Sequence, residues 1–463
     1  MSSPVSFTEF YNIVGIEKRS AAEETYHGID PSNGKPLWGT PVATKKDLDD
    51  AVSVGNTAFK EWSVLPHSER SRLVKEYADG LQKYAKEFAE LLVRETGKPP
   101  AFAEQEVMMG IMTVKANAEW SVPDQVLKDD DDVKIVIQHA PMGVVGGIVP
   151  WNYPFQLAIL KIAPSLMAGC TVIVKPSPFT PYTALKLGEI AAQTFPPGVV
   201  QVLGGNDSLD LAAAADTLKR VNLELGGNDA AVITEDFDTA KAAQLAAVAS
   251  FAHSGQMCHA TKRIYVHESV YDSFLSHLKS IVGAYKVGEG FCSPIQNKMQ
   301  FDKVRGIYAD CEKNGYDFAL GNGKVPEPKE GEGYYVAPAI VARPPEKSRL
   351  VQEEPFGPII PVLSFSDDEE VIRRVNDTDT GLGATVYCRD QTRAWKLASA
   401  IESGSVWVNG GLKMHPEALF GAHKQSGIGG ELGPLGLKFY TNTRTVTYWK
   451  ANEKEADGDL FVR

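Results

Sequence analysis

Gly143-Val-Val-Gly-Gly-Ile-Val149 is an apolar run with the length of a buried strand, and the elements after it decide the fold. Phe155 to Met167 reads as a helix. Cys170-Thr-Val-Ile-Val174 is a second strand, Tyr182 to Phe195 a second helix, and Val199-Val-Gln-Val-Leu203 a third strand closed by Gly204-Gly205. Strands alternating with helices predict an α/β architecture, a parallel sheet covered on both faces. Ligands in such sheets bind beyond the carboxyl ends of the strands, where these loops carry unusual residues.

Upstream, residues 45–118 read as helical, with apolar spacing broken by charged faces, as in Ser68 to Tyr84 and Lys86 to Thr96. The acidic run Asp129-Asp-Asp-Asp132 precedes Val133, Ile135 and Ile137, which alternate with Lys134, Val136 and Gln138. That is a strand with two unlike faces, and an ordinary edge strand after a solvated charge run explains it equally well. Downstream, one helix over 208–219 leads to the strand Val221-Asn-Leu-Glu-Leu225 and to Gly226-Gly227. A second α/β series comes next: helices at 238–252, 269–284, 296–313, 367–376 and 391–402, and strands at 263–266, 359–363, 383–387 and 404–408. Thr441-Asn-Thr-Arg-Thr-Val-Thr-Tyr-Trp449, rich in β-branched and aromatic residues, predicts a last strand. The expected organisation is a nucleotide-binding domain (1–123 and 142–225), a catalytic domain (226–437) and a small ribbon (124–141 and 438–463).

Bulk properties narrow the function class. At 463 residues the chain is too long for one simple core. A formal charge of −12 argues against a nucleic-acid partner. The five cysteines, Cys170, Cys258, Cys292, Cys311 and Cys388, include no Cys-x-x-Cys pair, which argues against a disulfide framework or a zinc site and suits a reducing compartment. Without an 18-residue apolar run, a secretory start or a terminal address, the expectation is a cytoplasmic protein with no membrane partner.

Four segments carry chemistry. Pro150-Trp-Asn-Tyr-Pro154 ends a buried strand, and its two prolines stiffen the backbone that presents the Asn152 amide. Leu223-Glu224-Leu225-Gly226-Gly227 sets a glutamate in an apolar strand, where burial would raise its pKa toward that of a general base. Phe251-Ala-His-Ser-Gly-Gln-Met-Cys258 leads from a helix into a loop that could expose a thiol for attack. Glu353-Glu-Pro-Phe-Gly-Pro358 is an acidic and aromatic turn. Each has a bland reading: a rigid turn, the polar face of an edge strand, a small buried hydrophobe, a solvated turn. His253 and His259 flank Cys258 as neighbours, not as a Cys–His dyad.

In this order, P-W-N-[FY]-P, L-E-L-G-G, G-Q-x-C and E-x-F-G-P resemble the motifs of the NAD(P)-dependent aldehyde dehydrogenase superfamily. Lys175-Pro-Ser177 and the late Leu419-Phe-Gly-Ala-His-Lys-Gln-Ser-Gly427 fit too, so the resemblance covers nearly the whole chain. It implies a Rossmann-like nucleotide-binding domain, an α/β catalytic domain and a β-ribbon oligomerisation arm, hence a homodimer or homotetramer. It also implies oxidation of an aldehyde to a carboxylic acid through a thioester on Cys258. Asn152 and the Cys258 N–H would hold the oxyanion, and Glu224 would activate the hydrolytic water. Acylating relatives that use coenzyme A generally lack this glutamate. For the cofactor, the resemblance puts Lys175 and Ser177 at the adenosine ribose, Glu354 at the nicotinamide ribose, Phe356 and Trp151 beside the cofactor, and Gly226 among its contacts. Pro178 stands where NAD-preferring members carry a glutamate, so NAD is the expectation with NADP left open.

The chain also departs from that pattern. Between Gly205 and Glu224 there is room for one helix only, and the Phe-Thr-Gly-Ser-type turn that helps hold the pyrophosphate is absent. By the size of a strand-plus-helix unit, roughly 25–30 residues are missing near 205–220. Gly288-Glu-Gly-Phe-Cys-Ser-Pro294 is a second contraction. The expectation is weak NAD(P) binding, which leaves a cofactor-independent esterase or a catalytically silent homologue as alternative readings. Tyr153, Leu157, Met257, His259 and Trp407 are the expected pocket neighbours. That set suits an uncharged aliphatic or aromatic aldehyde, with a cationic one possible through the aromatic faces.

Overall fold

A computed structural model describes residues 4–21, 24–206, 218–411 and 413–450. The helices Lys45–Trp62, His67–Lys83, Ala85–Thr96 and Pro100–Glu119 fill the stretch read as helical. The first begins at a capping box: Thr44 accepts from the Asp47 N–H while the Asp47 carboxylate accepts from the Thr44 N–H at 2.9 Å.

The alternation from Gly143 to Leu203 folds as read. Val144–Val149, Thr171–Pro176 and Val200–Val202 lie side by side and parallel, with Val149 level with Pro176. The helices Pro154–Ala168 and Tyr182–Thr194 pack against them in one core. Two strands missed by the sequence reading extend this sheet: Asn12–Val14 pairs antiparallel with Val200–Val202, and Glu17–Arg19 pairs with Asn12–Val14. Three residues are too few to show a period. At the other edge Val144–Val149 has no second partner among the described residues, and Ile148 is 60% exposed.

The expected helix at 208–219 falls largely on 207–217, outside the described residues. The expected strand Val221–Leu225 is a correction. Only Leu223–Glu224 is extended, paired antiparallel with Gly427–Ile428, and Leu223 and Leu225 are exposed. With no long partner strand beside it, the run stays a two-residue bridge that Gly226-Gly227 ends.

A seven-stranded sheet forms the other half, in the order Asp317–Leu320, Ala339–Ala342, Ile359–Phe365, Arg263–His267, Ala230–Ile233, Gly383–Tyr387, Ser405–Val408. All neighbours are parallel except the first pair. Ala230–Ile233 is fully buried near the middle, yet sequence reading missed it because Ala-Ala-Val-Ile is short and half alanine. Thr441–Trp449 pairs antiparallel with Val133–Pro141, which also pairs with Gln125–Asp129, and the three strands make a ribbon. Val126, Leu127, Tyr448 and Trp449 are exposed on it.

Candidate active site

Asn152 leaves the carboxyl end of Val144–Val149 on a turn fixed from both sides. Pro154 takes the first helical position, where its missing N–H costs nothing. The next two N–H groups, of Phe155 and Gln156, donate to the buried Glu106 carboxylate at 3.0 and 3.2 Å. Glu106 is paired in turn with Lys98, both side chains being inaccessible to solvent. An anion buried at a helix N-terminus is favourable there, and its lysine partner offsets part of the desolvation cost. Asn152 itself is buried, and its Nδ2 donates to the Gln256 carbonyl at 3.1 Å, which ties this turn to the cysteine loop.

That loop comes after the helix Thr239–Phe251 and is strained. His253, Ser254 and Gly255 have φ of 51°, 52° and 73° in succession. Two non-glycine residues in that region cost of order 1–3 kcal/mol each and persist only where the surroundings hold them. Here the holders are specific. Ser254 Oγ donates to the Ser293 carbonyl at 2.6 Å, and Gln256 Nε2 donates to the carbonyls of His253 and Pro294. Gly255 admits no side chain, since a Cβ would stand 2.6 Å from the Gly357 carbonyl oxygen. The G-Q-x-C and E-x-F-G-P segments are therefore packed on each other, which no spacing in the sequence reveals.

At the end of the loop the Cys258 thiol lies beside the Glu224 carboxyl, close enough for each to shift the other's titration. Burial holds the thiol well above its ordinary pKa and Glu224 adds to this, while Lys262 pulls the other way. Burial also raises the Glu224 carboxyl, against the Cys258 thiol and the Lys161 ammonium. The bland reading of Glu224 as a solvated edge residue fails on this environment. Gly227 is needed for the approach: a Cβ there would meet the Cys258 carbonyl oxygen at 2.7 Å.

The residues expected around a cofactor fall into two groups. Glu354 lies over Gly226, where a Cβ would be 2.5 Å from its Oε2, and pairs with Lys262 at 2.9 Å. The Phe356 ring meets Trp151 edge-on at 5.3 Å between centroids. Lys175 and Ser177 stand at the carboxyl end of the neighbouring strand. Lys175 is buried with Nζ donating to the Pro176 carbonyl at 3.0 Å, and Ser177 Oγ accepts from the Phe179 N–H. The five expected pocket neighbours divide. Leu157 and Trp407 pack in one cluster with Cys258, and His259 lies against Trp407 and Phe420. Tyr153 and Met257 lie in a separate cluster, the Tyr153 hydroxyl donating to Met257 Sδ at 3.0 Å. His259 Nδ1 is 3.5 Å from the sulfur, and burial pushes its pKa down to about 4, leaving a neutral ring.

Lys161, Glu431 and Lys262 were not found from the sequence. Lys161 pairs with Glu431, and burial brings its ammonium down to about 8 despite the pull of Glu224. Lys161 is the only charged residue in Pro154–Ala168, a signal that was available. Lys262 offered no such contrast.

Comparison with known proteins identifies the family. The sequence model described as "Aldehyde dehydrogenase family" matches residues 18–211 and 209–446. The chain belongs to the aldehyde dehydrogenase family. Aldehyde dehydrogenase LUC3 of a Fusarium species is 34% identical, with 96% of this chain and 100% of the relative covered. That alignment spans 470 residues, more than the 463 of this whole chain, so the relative has residues that this aldehyde dehydrogenase lacks. Human retinaldehyde dehydrogenase 3 is 33% identical over 96% of this chain and 93% of its own. The NAD+ complex of an aldehyde dehydrogenase from Bacillus cereus superposes with a TM-score of 0.91 at 29% identity, covering 95% of this chain and 96% of that one. An E. coli enzyme described as NADP dependent reaches 0.91 at 28% identity, covering 96% and 98%. The α/β aldehyde dehydrogenase fold is thus established.

Proposed function

We propose that this chain oxidises an uncharged aliphatic or aromatic aldehyde to the carboxylic acid, with Cys258 as nucleophile and Glu224 as base. The observation that carries the reading is the Cys258 thiol beside Glu224, a half-buried carboxyl whose pKa burial raises toward that of a base. Glu224 takes the thiol proton, the sulfur bonds to the aldehyde carbon, and the carbonyl oxygen becomes an oxyanion. Asn152 Nδ2 and the Cys258 N–H donate to that oxyanion. NAD, the expected cofactor with NADP as the variant, supplies when bound the acceptor for the hydride whose loss leaves a thioester. Trp151, Gly226, Glu354 and Phe356 would hold its nicotinamide end, and Lys175 and Ser177 the adenosine ribose. The fit is good at the nicotinamide end, where Glu354 Oε1 is buried and, beyond its ion pair with Lys262, has no hydrogen bond among the described residues. Once Glu224 has released the thiol proton to solvent, it takes a proton from water, the hydroxide adds to the thioester carbon and displaces the sulfur as thiolate, and the acid leaves. Glu224 Oε1, also buried without a hydrogen-bond partner among the described residues, is suited to that second task.

The supporting experiment is NADH formation by the purified protein over a panel of simple aldehydes; a folded protein that forms none overturns the reading. Asn152→Ala is expected to lower kcat by roughly 100- to 1000-fold, about 3–4 kcal/mol of transition-state stabilisation. The rate of thiol alkylation should change far less, which separates oxyanion support from nucleophile loss.

A second reading, a cofactor-independent esterase, is favoured by one set of observations. The unpaired edge at Val144–Val149, the exposed Ile148 and the break in the family match at 209–211 are what loss of a strand-plus-helix unit would leave. Ester hydrolysis without NAD, combined with no aldehyde oxidation, would select it. The ribbon supports a homodimer or homotetramer in either reading, and an acidic chain with no helix among the described residues long and apolar enough to cross a membrane suits the cytoplasm.

A further inference from the structure

Lys262 lies four residues beyond Cys258 and is almost fully buried, its side chain only 4% exposed. Its backbone N–H donates to the Asp229 carbonyl at 2.9 Å, which anchors the residue at the start of Arg263–His267. The side chain turns back toward the cysteine loop. There Nζ donates to the Met257 carbonyl at 2.8 Å and to the Cys258 carbonyl, and it pairs with Glu354 at 2.9 Å. Burying an ammonium costs several kcal/mol unless it is paired and hydrogen-bonded, and here every partner belongs to the candidate site.

The Met257 carbonyl matters because of the peptide it belongs to. That carbonyl and the Cys258 N–H are the two ends of one planar trans unit and point in opposite directions. A cation fixing the oxygen therefore fixes the direction of the N–H, and by polarising the peptide it strengthens the N–H as a donor. The same ammonium faces the Cys258 sulfur, where a nearby positive charge favours the thiolate.

Building on the reading of Cys258 as nucleophile, we propose that Lys262 is a positioning residue that aims the Cys258 N–H at the reacting oxygen and supplies the positive charge facing the sulfur. Glu354 is its counter-ion. The titratable groups around the sulfur are Glu224, Glu354, Lys262, His259 and Tyr153, with Asp229 near Lys262 and Lys161 near Glu224. The two carboxylates oppose thiolate formation and Lys262 counters them.

The test is the pH dependence of Cys258 alkylation by iodoacetamide, with neither cofactor nor aldehyde present, read by mass spectrometry of the Cys258 peptide. Lys262→Gln keeps a donor for the two carbonyls and removes the charge. It is expected to move the alkylation midpoint up by about one pH unit or more, making alkylation near neutrality roughly tenfold slower. Lys262→Arg, which keeps the charge, should stay near the wild-type midpoint. A Lys262→Gln protein that titrates like wild type overturns the proposal. If Lys262→Gln fails to fold because Glu354 is left unpaired, Lys262→Gln/Glu354→Gln is compared with Glu354→Gln alone. The same upward shift is expected there, and its absence overturns the proposal equally. A wild type that makes no NADH would defeat the functional reading without touching this readout.

Discussion

Replacing Cys258 with alanine is expected to abolish NADH formation from aldehydes and, equally, hydrolysis of activated esters, each by roughly ten-thousandfold or more. Both proposed activities begin with the same bond from sulfur to an acyl or aldehyde carbon, so neither survives its loss. The other four cysteines are buried, and burial holds their thiols above the ordinary value. None of them can stand in. The substitution removes a partly buried sulfur at the edge of a small cluster with Leu157, Leu160 and Trp407, so the melting temperature should change little. Turnover measured beside a thermal melt separates lost chemistry from lost fold. Residual activity above about one hundredth of wild type would show that another group starts the reaction, since nucleophile deletions cost far more than that.

How much of the fold is legible in the sequence depends on how far apart the partners lie. Val144–Val149, Thr171–Pro176 and the helices between and after them are readable because strand and helix periods alternate within one continuous stretch. Asn12–Val14 and Ala230–Ile233 are not, because each is set by its neighbours: the first by Val200–Val202, the second by Arg263–His267 on one side and Gly383–Tyr387 on the other. The site divides in the same way. Asn152, Glu224 and Cys258 sit in motifs whose local chemistry is unusual enough to mark them. Lys161 and Lys262 take their meaning from Glu431 and Glu354, which lie far along the chain and meet them only after folding. The strained turn at His253–Gly255 was readable as a loop, but its cause was not, because the Gly357 carbonyl that packs against it comes from a distant segment.

Replacing Glu224 with glutamine is expected to uncouple the two halves of the reaction. Thioester formation can still proceed from the small thiolate fraction that solvent maintains, whereas hydrolysis needs a base beside the acyl carbon. Rapid mixing should therefore show a burst of about one NADH per site, then a steady state slowed roughly 100- to 10,000-fold. Intact-protein mass spectrometry during that phase should find the acyl group on Cys258. The pH profile gives an independent check. Glu224 acts as a base only when ionised, and burial raises its carboxyl pKa. Wild-type turnover should accordingly fall as pH drops through that raised value, at a higher pH than an ordinary carboxylate would give, and the glutamine variant should lose this limb. Lys161 favours ionised Glu224, so Lys161→Met should shift the limb to still higher pH. A glutamine variant with no burst and near-normal steady turnover would mean that water is activated elsewhere. A variant with neither burst nor turnover would mean that the thiolate fraction maintained by solvent is too small to start the reaction, and that acceptance of the Cys258 proton by Glu224 is as indispensable as its action on water.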